Sequence, residues 1–137
     1  MHPICWLHIS DIHLTARDVW SQDIVLRALC DHMARQRGSG TAADFIMVTG
    51  DLAFSGKVEE YALAAGFLDA LSAASGVPRR LMFTIPGNHD VDRDRQKLCF
   101  VGARASLENQ SRVDALLTGG EDLETLLKRQ ENYRRFE

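Results

Sequence analysis

Three short, nearly continuous apolar runs mark the first two thirds of the chain, at 4–9, 45–48 and 81–85. Runs of this length without strict alternation read as parallel strands covered on both faces. Between the first two lies "SQDIVLRALCDHMARQR" (21–37), where Ile24, Val25, Leu29, Cys30, Met33 and Ala34 recur at helical spacing. Ser21 is placed to cap this helix and Gly38 follows its basic last turn. Between the second and third runs lies "KVEEYALAAGFLDALSAASG" (57–76), with Tyr61, Ala64, Leu68 and Leu71 on one stripe and Gly76-Val77-Pro78 as the stop. The order strand, helix, strand, helix, strand predicts a parallel sheet with right-handed crossovers.

After Asp94 the pattern weakens. The stretch "RQKLCFVGARASL" (95–107) reads as loop or irregular helix, and 111–117 as a short helix before Gly119-Gly120. "EDLETLLKRQENYRRFE" (121–137) has acids in its first turn, bases in its last, and Leu123, Leu126, Leu127 and Tyr133 on one side. It predicts one amphipathic helix, its leucines serving as core or as a docking face. The chain stops in or just after that helix, more as an interruption than as an ending.

Composition narrows the class. A chain of 137 residues with 45% hydrophobic content is one soluble domain at most, and a net charge of −3 excludes an overall basic field for indiscriminate nucleic-acid binding. Cys5, Cys30 and Cys99 are odd in number and widely spaced, which argues against a disulfide framework and a zinc knuckle and for a reducing, cytoplasmic compartment. No signal peptide is recognisable at the N-terminus, and no run approaches the roughly 20 apolar residues that span a bilayer, so no membrane partner is expected.

Each apolar run is followed at once by groups able to ligate a metal. "SDIHL" carries Asp11 and His13, "TGDLAFSG" carries Asp51, and "PGNHD" carries Asn88, His89 and Asp90. In an open parallel sheet the crevice beyond the carboxyl ends of the strands is where ligands bind, so these distant residues are expected at one edge. If the segment is extended, Asp11 and His13 point the same way while Ile12 turns inward. Gly50 permits a sharp exit before Asp51, and Gly87 is expected to do the same before Asn88. Mixed carboxylate, imidazole and amide ligands suit manganese, iron or zinc better than calcium. Two such ions about 3.5–4 Å apart would activate a water and clamp a phosphoryl group during in-line attack, leaving His89 as general acid or hydrogen-bond donor.

The ordered set Asp11-x-His13, Gly50-Asp51 and Gly87-Asn88-His89-Asp90 resembles the calcineurin-like metallophosphoesterase superfamily over residues 4 to 93. The resemblance implies an α/β fold, a parallel βαβαβ half of a two-sheet sandwich flanked by helices. It implies a hydrolase with two divalent ions, manganese favoured. Asp11 and His13 would bind the first, Asp51 would bridge, Asn88 would bind the second, and His89 would be catalytic without ligating. On this reading 1–93 is the N-terminal half of the domain and 94–137 a helical segment running toward a C-terminal half or partner domain.

Two departures refine that reading. Family members complete the site with later histidines, whereas no histidine here follows His89. Phosphoprotein phosphatases of the superfamily place an aspartate, which orients the catalytic histidine, where this chain has Phe54. The sequence is more similar to the bacterial cyclic-nucleotide phosphodiesterase branch, with a cyclic nucleotide or nucleic acid as the phosphoester substrate. The alternatives are a nuclease effector domain of a larger signalling or defence protein, and a non-catalytic binding module that lacks the remaining ligands. Asp90 either orients a ligand or is the turn's own hydrogen-bonding residue. Arg93, with Arg95 and Lys97, either meets substrate phosphates or forms a solvated basic face. His8 is expected beside the sheet, and His2 and His32 in solvent.

Overall fold

A computed structural model of the chain describes residues 3–17, 19–95, 107 and 109–137. His2, Lys97, Cys99 and most of the 95–107 stretch lie outside the described residues. Strand β1 (Trp6–Ile9), helix α1 (Val19–Gly38), strand β2 (Phe45–Thr49), helix α2 (Val58–Ser75) and strand β3 (Met82–Ile85) follow in the expected order. The three strands form a parallel sheet in the order β1-β2-β3, with Leu7 opposite Ile46 and Ile46 opposite Met82. Two successive right-handed crossovers in that order put both helices on one face of the sheet.

That face is the core. Ile46 and Val48 are fully buried against Met33 of α1 and Tyr61, Ala64, Phe67, Leu68 and Leu71 of α2, with Leu7, Ile9 and Met82 packed at the margin. Burying a leucine or phenylalanine side chain contributes about 1.5–3 kcal/mol, so the buried stripe of α2, with Phe67, Leu68 and Leu71, supplies much of the driving force. Helix α2 ends where Gly76 takes a left-handed φ of 79° and its N–H donates to Ser72 O. At the other end the buried Glu60 carboxylate accepts from the main-chain N–H groups of Ser55 and Lys57 and from the Ser55 hydroxyl. These bonds fasten the helix to the loop after β2.

Three expectations need correction. First, the opposite sheet face is open: Trp6, His8, Phe83 and Ile85 are exposed and Phe45, Met47 and Thr49 half-buried, with Trp6 stacked on Phe45 at 6.0 Å and Phe45 edge-on to Phe83 at 6.2 Å. The apolar runs are continuous because both faces are apolar, although among the described residues one face alone is covered. Second, α1 begins at Val19, so Ser21 lies in its first turn, and Ile24, Val25 and Ala34 face solvent while Leu26, Leu29, Cys30 and Met33 face the core. Val25 falls about 40° outside the arc that 26, 29, 30 and 33 share, and Ile24 lies nearly opposite that arc.

Third, the C-terminal helix is broken. Helix α3 (Gln110–Leu117) is followed by α4 (Glu121–Leu127), a 3-10 turn at Lys128–Gln130, and α5 (Glu131–Phe136). Gln130, at φ −97° and ψ 9°, leaves the helical region. The break presents the Arg129 carbonyl to the Asp92 N–H and turns α5 onto α2, where Tyr133 and Phe136 pack on Tyr61. The Tyr133 hydroxyl meets Thr84 Oγ1 at 2.9 Å. Buried Asn132 donates from Nδ2 to Gly56 O, so α5 braces the loops that follow β2 and β3. His8 lies on the open face, paired with Thr49, and His32 is exposed as expected. Among the described residues no helix is long and apolar enough to cross a membrane.

Candidate metal centre

The three loops beyond the carboxyl ends of the strands interlock through their main chains. Asp11 N donates to Gly50 O, His13 N to Asp51 O at 2.8 Å, and Leu14 N to Leu52 O, so the loop after β1 continues the parallel pairing past the strand. Gly50 N donates to Ile85 O, and Phe54 N returns to Leu14 O. The polar clusters therefore rest on a rigid frame.

Within that frame Asp11, His13 and Asp51 have left-handed φ values of 56°, 52° and 50°. Side chains with a Cβ rarely adopt this region, at a cost of order 1–3 kcal/mol each, and such residues cluster at functional sites. The Asp11–His13 segment is thus not extended, as alternation required. Two left-handed residues flanking Ile12 achieve the same end: Ile12 packs on the core, and His13 Nε2 comes 4.0 Å from Asp11 Oδ1 and 3.9 Å from Asp51 Oδ2.

His13, Asp51 and His89 each offer a donor atom, and these atoms lie within 4.8 Å of one another. Two imidazoles and a carboxylate so close fit a divalent cation of borderline softness. Asp11 stands at the margin, two-thirds exposed. Asn88 is exposed on the loop that carries His89, and its amide makes no hydrogen bond among the described residues. Asp51 is buried, and its Oδ1 accepts the His89 N–H at 2.8 Å, which leaves Oδ2 toward His13. The His89 ring is held as well: Nδ1 lies 2.8 Å from Phe54 O, so Nδ1–H donates to the carbonyl and Nε2 is the nitrogen left for the site. A carbonyl behind the distal nitrogen is the usual support of a metal-bound imidazole and serves an acid catalyst equally. The rings of His13 and His89 meet edge-on at 4.7 Å.

Gly87 is needed for space, not for a turn. A Cβ there would overlap Asp51 Oδ1 and Asp51 N, whereas Gly50, at φ 82°, makes the turn that was expected of it. Asp90 is almost wholly buried and accepts four hydrogen bonds. They come from Gly87 N in its own turn, from Leu52 N and Ala53 N in the neighbouring loop, and from the Tyr61 hydroxyl. It thus joins the Gly50-Asp51 and Gly87-Asn88-His89 loops, both of which line the site. Arg93 is exposed in a 3-10 turn (Arg93–Arg95). Beside it buried Asp92 pairs with Lys57 Nζ at 2.6 Å and Arg95 Nε at 3.4 Å.

The apolar stripe of α2 places Tyr61 in the core, and no local pattern singles out buried Asp92 or Asn132. The available signal was chemical: a tyrosine in a buried stripe of alanine and leucine must find a partner for its hydroxyl.

A family model described as calcineurin-like phosphoesterase matches residues 6–131. The chain is also 28% identical over 109 residues to an uncharacterized metallophosphoesterase-like protein, YydB, of Bacillus subtilis (strain 168). That match covers 79% of this chain and 22% of the relative, so the chain spans well under half of that protein's length.

Proposed function

The chain belongs to the calcineurin-like phosphoesterase family, a family of metal-dependent phosphoester hydrolases, and from that premise we propose a phosphodiesterase with a dinuclear centre. The observation that carries the reading is the convergence of His13, Asp51 and His89 at the carboxyl edge of the sheet. Asp11, His13, Asp51 and Asn88 would hold the ions, and their mixed carboxylate, imidazole and amide donors favour manganese over calcium. What bound ions supply is Lewis-acid charge toward the phosphoryl oxygens and a lowered pKa for water.

The chain's own residues do the rest. Asp51 and His89 are fixed to each other by the His89 N–H, so ligand and proton carrier cannot drift apart. With Nδ1–H given to Phe54 O, Nε2 of His89 is aimed to hand a proton to the departing oxygen. A neutral carbonyl stands behind this imidazole where phosphoprotein phosphatases of the family use a carboxylate. That difference supports a diester, a cyclic nucleotide or nucleic acid, over a phosphoprotein. Arg93, exposed beside the third loop, is a candidate contact for substrate phosphate. We take the ligands that this chain lacks to come from a second sheet packed on the open face of the first, in the same protein or a partner domain. Cys5 and Cys30, both unbridged, suit a reducing, cytoplasmic setting.

Asp51→Ala should abolish manganese binding and hydrolysis of bis(4-nitrophenyl) phosphate together, and full activity in that variant would overturn the assignment. His89→Ala should retain most metal by calorimetry while turnover falls about 10²–10⁴-fold, the usual share of a general acid. Loss of metal in parallel with turnover would make His89 a ligand instead.

A further inference from the structure

Phe54 stands out in the loop after β2. Leu52 and Ala53 before it are fully buried, yet its own side chain is 52% exposed. The exposure is not slack, because both main-chain groups are tied: Phe54 N donates to Leu14 O at 3.0 Å and Phe54 O accepts from His89 Nδ1 at 2.8 Å. The ring lies against both histidines of the candidate centre, its centroid 5.7 Å from that of His89 and 6.3 Å from that of His13. Among the described residues the other exposed large aromatic side chains, Trp6 and Phe83, lie on the broad face of the sheet and not at its carboxyl edge. A scattered exposed hydrophobe needs no explanation. A rigidly anchored ring facing solvent from the rim of a metal site offers a flat apolar surface to whatever is attached to the reacting phosphorus.

We propose that Phe54 is a specificity-determining residue, a stacking platform for the nucleobase of a phosphoester whose phosphate enters the His13–Asp51–His89 centre. The proposal rests on the phosphodiesterase reading for its reaction but not for its binding. Bases stack on aromatic side chains whatever their sequence, because every base has a π-face. The matching ligand carries a base one sugar away from the phosphate, either as a free cyclic mononucleotide or at the end of a single strand.

The test compares adenosine 5′-monophosphate with ribose 5-phosphate, which differ only in the base, by calorimetry on the manganese-loaded protein. Wild type should prefer the nucleotide, Phe54→Ala and Phe54→Leu should lose about tenfold or more of that preference, and Phe54→Trp should keep it. A preference unchanged in Phe54→Ala and Phe54→Leu, or absent in wild type, overturns the platform. Hydrolysis of 3′,5′-cyclic AMP and of a single-stranded oligonucleotide is then followed in the same variants. A rise in KM for the cyclic nucleotide alone identifies a free nucleotide as the ligand, and a rise for both identifies a strand end as well. If wild type binds the nucleotide through Phe54 but cleaves neither diester, the phosphodiesterase reading fails and the platform stands. If it cleaves both without dependence on Phe54, the platform fails and the phosphodiesterase reading stands.

Discussion

The Tyr61 hydroxyl donates to Asp90 Oδ1 at 3.1 Å, and through that bond the core stripe of α2 reaches the loops of the metal centre. Tyr61 is buried, and burial first, then the Asp90 charge and this hydrogen bond, push its phenol far above the ordinary tyrosine value. Tyr133, the other tyrosine of the chain, is also raised, chiefly by burial. A proton held more tightly in the folded state stabilises that state fully below the unfolded pKa, near 10, and the contribution is lost as pH climbs above it. Phenolate absorbance should therefore be absent from the folded protein at pH values where free tyrosine ionises and should appear together with loss of circular dichroism. Tyr61→Phe should flatten the fall of stability above pH 10. Ordinary phenolate titration while the fold is intact would contradict the buried bond.

Gly87 and Gly66 make opposite predictions for the same substitution. Gly87→Ala forces a methyl into Asp51 Oδ1 and Asp51 N, and the backbone atom cannot swing aside. Manganese affinity should drop at least tenfold and the melting temperature should fall, as is usual for a close approach filled by a side chain. Gly66, exposed within α2, has open space within 4 Å of the point where a methyl would stand. Gly66→Ala should raise stability by about 0.5–1 kcal/mol in denaturant titration, the ordinary gain for this exchange inside a helix, and leave metal binding alone. A Gly87→Ala protein with wild-type metal affinity would show that Asp51 is not held as described.

What could be read in the sequence was local. The strands, the α2 stripe and the three polar clusters each sit in a few consecutive residues, so the elements and the meeting of the clusters at one sheet edge are legible in the sequence. What depended on distant partners was not. Nothing near Asp11 or His13 announces a left-handed backbone, because it is imposed by bonds to Gly50 and Asp51 far along the chain. The acidic start and basic finish of 121–137 fit one helix, and the break at Lys128–Gln130 goes with distant partners, the Asp92 N–H that meets Arg129 O and the Gly56 carbonyl that meets Asn132. The sequence allows Asp90 two roles, and in the fold it takes hydrogen bonds both from its own turn and from the neighbouring loop. Phe54 was informative first as a missing carboxylate, and the carbonyl that replaces it could be found only in the fold.

The open sheet face carries the last prediction. Parallel sheets are normally covered on both sides, and here Trp6, Phe45, Met47, Phe83 and Ile85 form a contiguous apolar row on the face that none of the described residues covers. Phe83 is 54% exposed and Trp6 55%, so neither contributes full burial to the folded chain and both lose water contact only by meeting another surface. These 137 residues alone should therefore self-associate with rising concentration in sedimentation velocity and bind a hydrophobic dye in the folded state. Phe83→Lys places a charge at the edge of the row, where it should suppress association. The melting temperature should change little, since the ring's packing is half lost to solvent already. A monomeric wild type that binds no dye at any accessible concentration would mean that the row is not adhesive. A Phe83→Lys variant that unfolds would mean that the Phe45–Phe83 contact supports the sheet itself.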